Sequence, residues 1–214
     1  MKFRENIFRL ENYKAESLKK IVLASSNLGK IKEFSEFFHK LKFDVISQSE
    51  LGIKSPTETG ASFIENAIIK ARHASKKTGL PSMADDSGLI VPALNGEPGV
   101  FSARYAGIGA TDEQNNSRLI HKMRNFSAKD RKCYFVCILV FLRFPSDPAP
   151  LVAEGRWEGS IGDKPVGNDG FGYDPIFIDP KSGTTAAQLS TRTKMSHSHR
   201  GEALRNLYKS LALD

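Results

Sequence analysis

The stretch KIVLASSNLGKIKEFSEFFHKLKFDVIS, residues 20–47, decides the fold. Ile21, Val22 and Leu23 stand in a row, which fits a buried strand. The polar turn Ser25-Ser26-Asn27-Leu28-Gly29-Lys30 follows it. Ile31, Phe34, Phe37, Phe38 and Leu41 then recur at helical spacing, the one-sided apolar stripe of an amphipathic helix. Residues 43–47 return to an extended pattern. Strand, loop, helix and strand in that order make a unit of the α/β kind.

Outward from this unit the same alternation continues. A loop over residues 52–60 carries Pro56 and Glu58. Ser62 and Glu65 match a capping box and open a helix whose apolar stripe is Phe63, Ile64, Ala67, Ile68 and Ala71. Gly79-Leu80-Pro81 stops that helix. A short strand leads into Ala84-Asp85-Asp86-Ser87-Gly88, so that the two carboxylates are expected at a strand end. Residues 89–94 are expected to continue extended before the turn-rich Asn95-Gly96-Glu97-Pro98-Gly99. Thr111 and Gln114 form a second capping box. Residues 131–144 and 151–161 read as two long antiparallel strands joined by FPSDPAP. Ser198-His199-Arg200 precedes a terminal helix that turns Ala203, Leu204, Leu207 and Leu211 to the core. No linker divides the chain, so the expected organisation is a charged extension, residues 1–17, and a single domain, residues 18–214.

Composition narrows the class. Hydrophobic residues make up 40% and charged residues 26% of 214, ordinary values for a globular protein. The longest apolar run, residues 133–144, is interrupted by Arg143 and is too short to cross a bilayer. The opening segment has no continuous apolar region of the signal-peptide kind, and the expected location is the cytoplasm. Cys133 and Cys137 lie on one expected strand, where a four-residue separation holds their Cα atoms roughly 13 Å apart. That is too far for a disulfide, so both read as core thiols. The net charge of +7 is spread in doublets and triplets such as Lys76-Lys77, without the dense run that a nucleic acid or membrane partner would call for.

Four groups of residues carry chemistry. Ser25, Ser26, Asn27, Leu28, Gly29 and Lys30 lie between a strand and a helix start, where backbone N–H groups and the helix dipole suit phosphate oxygens. The same residues also fit an ordinary capped turn. Asp85 and Asp86 crowd two carboxylates together, which a cation or a proton resolves. Mg²⁺ takes one or two carboxylates and completes its shell with water and phosphate oxygens, and Glu58 is a second candidate ligand. Asp-Asp-Ser-Gly is equally a turn sequence. Phe171, Gly172, Tyr173 and Asp174 offer aromatic faces for a base and a carboxylate beside them, or else a bulge that packs two aromatics into the core. Lys194 with His199 and Arg200 offers donors to a purine O6 and to phosphate, or else a capped basic turn.

Taken in order, SSNLGK, ETG with FIENAIIKARHA, ADDSGL, LNGEPGVFSARYAG, GFGYDPIF and SHRGEAL resemble the inosine/xanthosine triphosphate pyrophosphatase family from about residue 20 onward. The resemblance implies an elongated α/β mixed-sheet fold of two lobes with a central substrate cleft. It implies a homodimer, Mg²⁺ as cofactor, and hydrolysis of ITP, dITP and XTP to the monophosphate and pyrophosphate. By the same resemblance the loop 25–30 holds the triphosphate, and Asp86 is the catalytic acidic residue and a metal ligand. Ser87, Phe171 to Asp174, Lys194, His199 and Arg200 bind substrate, and Glu58 is associated with the metal. One departure stands out: the loop reads Ser-Ser-Asn where relatives commonly have Thr-Gly-Asn, which adds a Cβ at Ser26 beside the phosphates.

The expected chemistry is in-line attack of water on the α-phosphorus, with Asp86 accepting a proton and Lys30 and the loop donors stabilising phosphate charge. Base choice is expected to follow hydrogen-bond polarity. Hypoxanthine and xanthine present an O6 acceptor to Arg200 and His199, whereas adenine presents an amino donor that cannot pair with them.

Overall fold

The computed structural model describes residues 20–39 and 43–213, so the expected extension and Leu41 lie outside the described residues. Strand β1 is Lys20–Leu23, helix α1 Leu28–His39, β2 Asp44–Ser47, α2 Phe63–Thr78, β3 Ser82–Ile90, α3 Asp112–Met123, β4 Lys132–Leu142, β5 Leu151–Ile161, β6 Phe177–Ile178, α4 Thr191–His197 and α5 His199–Leu213. The strands form one sheet in the order β2-β1-β3-β4-β5-β6. β1 runs parallel to β2 and to β3, and β5 runs antiparallel to β6, so the sheet is mixed and the fold is α/β.

The chain gathers into two compact units. The first comprises the described residues up to Gly60, Ile64–Asp85 and Leu139–Val152. Its centre is the β1–α1–β2 unit. Ile21, Val22 and Leu23 are fully buried in β1, as an apolar run with no polar face requires. α1 buries Phe34 and Phe38 from its apolar stripe, each contributing roughly 1.5–3 kcal/mol of burial. α2 keeps Ala67, Ala71 and Ala74 inside, but Ile64, expected in the stripe, is 40% exposed. The buried face is rotated towards Asn66 and Lys70 instead. Both have partners there: Asn66 accepts from the Gly60 N–H at 2.8 Å, and Lys70 pairs with Glu58.

The second unit comprises Ala61–Phe63, Asp86–Ile138 and Ala153–Asp214. Its core joins Leu89, Leu119, Met123, Phe135, Trp157 and Phe177. α3 starts on the expected capping box, with Thr111 and Gln114 satisfying each other's backbone donors. Cys133 and Cys137 are buried thiols outside any disulfide, and burial pushes the Cys133 thiol well up. In α5 Ala203, Leu204 and Leu207 are fully buried, and Leu211 is half-buried. Gly155 in β5 is required by close approach: a Cβ there would stand 2.0 Å from the His199 carbonyl oxygen.

Two expectations about β3 are corrected. The carboxylates of Asp85 and Asp86 lie in the middle of β3, not at its end. Pairing with β1 covers only Val22↔Ser82 and Leu23↔Met83, so β1 stops short of the carboxylates while β3 runs on. Residues 89–94 do not stay extended either. Pro92–Leu94 is a 3-10 turn, closed by the Leu94 N–H on the Val91 carbonyl at 2.9 Å and by the Asn95 N–H on that of Pro92 at 3.0 Å. Proline at the first position of that turn supplies its φ and needs no donor.

Candidate active site

In the first unit the loop between β1 and α1 is shaped by its own side chains. The Ser25 hydroxyl accepts from the Asn27 N–H at 3.2 Å, and the Asn27 carboxamide accepts from the Lys30 N–H at 3.0 Å. Asn27 therefore caps α1 and fixes where the helix begins. Ser25 is buried, while Ser26, Asn27 and Leu28 are exposed, Leu28 at 81%. Leu28 opens α1, and its backbone stands at the helix start, the place where anions are favoured. Ser26 lies 3.4 Å from Ser55, hydroxyl to hydroxyl, and the Gln48 amide donates to both, at 3.3 Å and 2.6 Å. Gln48 and Ser55 were not legible as part of this loop, because nothing local in the sequence marks a contact over such separations.

Two ammonium–carboxylate pairs complete this half. Lys30 Nζ lies 2.9 Å from Asp85 Oδ2, and Lys70 Nζ lies 3.0 Å from Glu58 Oε1. The Asp85 side chain is 1% exposed, so the Lys30 charge offsets the cost of holding a carboxylate out of water. Glu58, the second candidate metal ligand, has Lys70 as its partner in this state.

In the second unit the remaining candidates converge. Asp86 is buried at 7% exposure, and the next residue, Ser87, accepts from Arg200 Nη2 at 3.1 Å. Arg200 is 2% exposed, and its guanidinium carbon sits 5.6 Å from the centre of the Phe171 ring. Lys194 Nζ sits 4.8 Å from the same ring and 2.7 Å from Asp174 Oδ2. That carboxylate also accepts from the Phe171 N–H at 2.8 Å. Asp174 therefore orients both the aromatic ring and the lysine above it. Gly170 belongs to the same turn, with φ +83° and no room for a Cβ, which would lie 2.1 Å from Asp174 Oδ2.

Gly172 is anchored at both backbone groups: its N–H donates to Asp112 at 2.6 Å, and its carbonyl accepts from Asn116 at 3.0 Å. For the Tyr173 side chain the structure shows the packing alternative. Its ring belongs to the core, 4% exposed, and its hydroxyl donates to the Ser102 carbonyl at 2.9 Å. Burial pushes its phenol well up. Its side chain packs the interior, so of the two aromatics only Phe171 offers a face. His199 is buried against aromatic rings, stacked on Phe135 at 4.7 Å with planes 11° apart and near-parallel to Trp157 at 6.4 Å. No pattern in the sequence marked Asp112, Asn116, Phe135 or Trp157 as supports of this cluster.

Chemically, the first cluster offers a helix start, hydroxyls, cations, one buried carboxylate and one partly exposed one, the equipment for a metal-bound polyphosphate. The second offers a ring face flanked by cationic donors, the equipment for a heterocycle rich in acceptors.

Known proteins are similar to this chain in sequence and in backbone. The chain is 50% identical over 194 residues to a dITP/XTP pyrophosphatase of Salmonella typhimurium, covering 91% of this chain and 98% of that protein. A dITP/XTP pyrophosphatase of Halorhodospira halophila is 50% identical over 195 residues, with the same coverage of both chains. Among solved structures, a HAM1 protein from Coxiella burnetii matches with a TM-score of 0.84 and 47% identity, covering 91% of this chain and 99% of that one. The Ham1 protein of Staphylococcus aureus matches with a TM-score of 0.80 and 44% identity, covering 91% and 98%. The Ham1 family profile matches residues 21–210, and the chain belongs to the Ham1 family.

Proposed function

We propose that this protein hydrolyses deaminated purine nucleoside triphosphates, ITP, dITP and XTP, to the monophosphate and pyrophosphate, and so keeps them out of DNA and RNA. The observation that carries the reading is the Lys30–Asp85 pair beside the start of α1. It holds a cation for phosphate oxygens next to backbone donors that favour anions.

In this reading the loop 25–30 grips the triphosphate, with Lys30 and the helix start stabilising negative charge. Asp86 takes a proton from the water that attacks the α-phosphorus. The new bond forms from that water oxygen to phosphorus, the bond to the bridging oxygen breaks, and pyrophosphate leaves with the electron pair. Phe171 stacks on the base, while Arg200 and His199 donate towards O6. The buried position of these donors supports selectivity, because adenine would leave them facing its own amino donor.

Mg²⁺ is part of the proposal. Among the described residues no cluster of three His, Cys, Asp or Glu side chains could hold a metal. The donor set nevertheless fits this ion, which needs only one or two carboxylates when phosphate oxygens and waters complete its shell. Asp86 would hold the ion, which when bound would neutralise charge on the phosphates. We further infer a homodimer working in the cytoplasm. The exposed side chains of Phe101 and Ile108 support the former, and two buried cysteines kept as thiols the latter. Among the described residues no helix is long and apolar enough to cross a membrane.

A substrate panel tests the function. With Mg²⁺, ITP and XTP should be turned over well ahead of GTP and ATP, each releasing one pyrophosphate per monophosphate. Equal turnover of all four would remove the base selectivity from this reading.

A further inference from the structure

Asp179 follows β6 and is fully buried. Its Oδ1 accepts from Trp157 Nε1 at 2.9 Å. Its Oδ2 accepts from the Ser182 N–H at 3.0 Å and from His197 Nδ1 at 3.1 Å. A carboxylate only accepts, so the proton of this last bond sits on Nδ1. The two oxygens thus hold two separate things. One fixes the Trp157 ring, which lies near-parallel to the His199 imidazole at 6.4 Å and packs on Phe177 at 4.7 Å. The other fixes the last residue of α4, two positions before His199 and three before Arg200.

We propose that Asp179 and His197 are positioning residues for base recognition: one buried carboxylate sets both the ring behind His199 and the turn that delivers His199 and Arg200. The inference rests on the purine nucleotide reading and adds to it a pair outside the contact set. The geometry favours positioning over a role in the core alone. A tryptophan N–H needs just one acceptor, yet this carboxylate takes a second side chain from the turn next to the recognition residues. His197 is also only partly buried, its side chain 22% exposed, so packing does not demand a histidine there. The turn has a further tether: Arg205 donates to the carbonyls of Met195 and Ser196 at 3.1 Å and 3.2 Å, so loss of His197 loosens the turn without releasing it.

The experiment compares the full chain with His197→Ala and His197→Asn. Alanine removes the donor at a tolerant position, and the asparagine amide offers an N–H close to where Nδ1 stood. Steady-state kinetics with ITP are combined with calorimetric binding of IMP, which carries the base, and of pyrophosphate, which does not. In His197→Ala, KM for ITP should rise and IMP affinity fall by about 3- to 10-fold, the worth of one hydrogen bond. kcat should stay within about twofold, as expected when uniform binding is lost. Pyrophosphate affinity should be unchanged, and His197→Asn should recover most of the loss. Unaltered IMP affinity in His197→Ala overturns the proposal. So does an equal loss of IMP and pyrophosphate affinity, or an asparagine variant no better than alanine, since either marks general support of the fold. Failure of the underlying reading looks different: the unaltered protein would neither turn over ITP nor bind IMP, which would overturn both.

Discussion

Lys30 Nζ lies 2.9 Å from the Oδ2 atom of Asp85, a carboxylate with 1% of its side chain exposed. The pair is asymmetric, since the lysine side chain keeps 16% exposure and the aspartate almost none. Removing either partner therefore has different consequences. Lys30→Met leaves a buried carboxylate without its ammonium partner and should destabilise the fold by about 3 kcal/mol. Asp85→Asn leaves an ammonium that can turn to water and should cost clearly less. Urea unfolding of both variants measures the difference, and equal losses would mean that the pair does not offset the burial of Asp85.

Asp86→Asn keeps shape and removes charge and basicity at the residue next in the chain. General-base assistance is typically worth about 10²–10⁴-fold, so kcat for ITP should drop by at least that range while substrate still binds. Chelation of divalent ions should abolish turnover in the unaltered protein, and added Mg²⁺ should restore it. Near-normal kcat in Asp86→Asn, or full activity in excess chelator, would remove Asp86 or the metal from the mechanism.

Arg200→Ala should behave differently from Asp86→Asn. It removes a charged donor, worth on the order of 1.5–3 kcal/mol, so kcat/KM for ITP should fall roughly 10- to 150-fold. The loss should be smaller for ATP, which has no O6 acceptor, and the preference for ITP over ATP should narrow. Because Arg200 also donates to the Ser87 hydroxyl, Ser87→Ala should give a weaker effect of the same sign. Equal losses for the two nucleotides would make Arg200 a phosphate or structural residue.

The acid limb of stability should carry the signature of Asp179. Burial alone would raise this carboxyl, but hydrogen bonds from Trp157, Ser182 and His197 outweigh it and hold the folded pKa below the ordinary 3.8. A depressed folded pKa means stability that is present above the unfolded value and lost as pH falls through the folded one. The difference in Tm between the unaltered protein and Asp179→Asn should be constant above about pH 5 and shrink below about pH 4. A difference that stays constant down to acid pH would show that Asp179 is not held ionised by its donors.

Much of this architecture is written in local pattern. The run Ile21-Val22-Leu23 gives β1, the spacing of Phe34 and Phe38 gives α1, and Thr111 with Gln114 gives the start of α3. These signals are legible because each rests on residues a few positions apart. The turn over residues 25–30 is legible for the same reason, since Asn27 caps its own helix. What escapes the sequence is settled at long range. Asp85 and Asp86 sit mid-strand because β1 stops short while β3 runs on. Ile64 is exposed because Asn66 and Lys70 take the inward face to meet Gly60 and Glu58. Phe171 and Tyr173 are two residues apart and chemically alike, yet only packing against Ser102 and the surrounding core assigns Tyr173 to the interior. Asp179, Trp157 and His197 are far apart in the chain and meet only in the fold.

Attack of water on the α-phosphorus is the central claim, and isotope transfer reads it most directly. ITP is hydrolysed by the unaltered protein with Mg²⁺ in heavy-oxygen water, and the products are separated and weighed by mass spectrometry. The account predicts that one labelled oxygen enters IMP and none enters pyrophosphate. Label in pyrophosphate, or release of labelled orthophosphate with IDP, would place the attack on another phosphorus and contradict it.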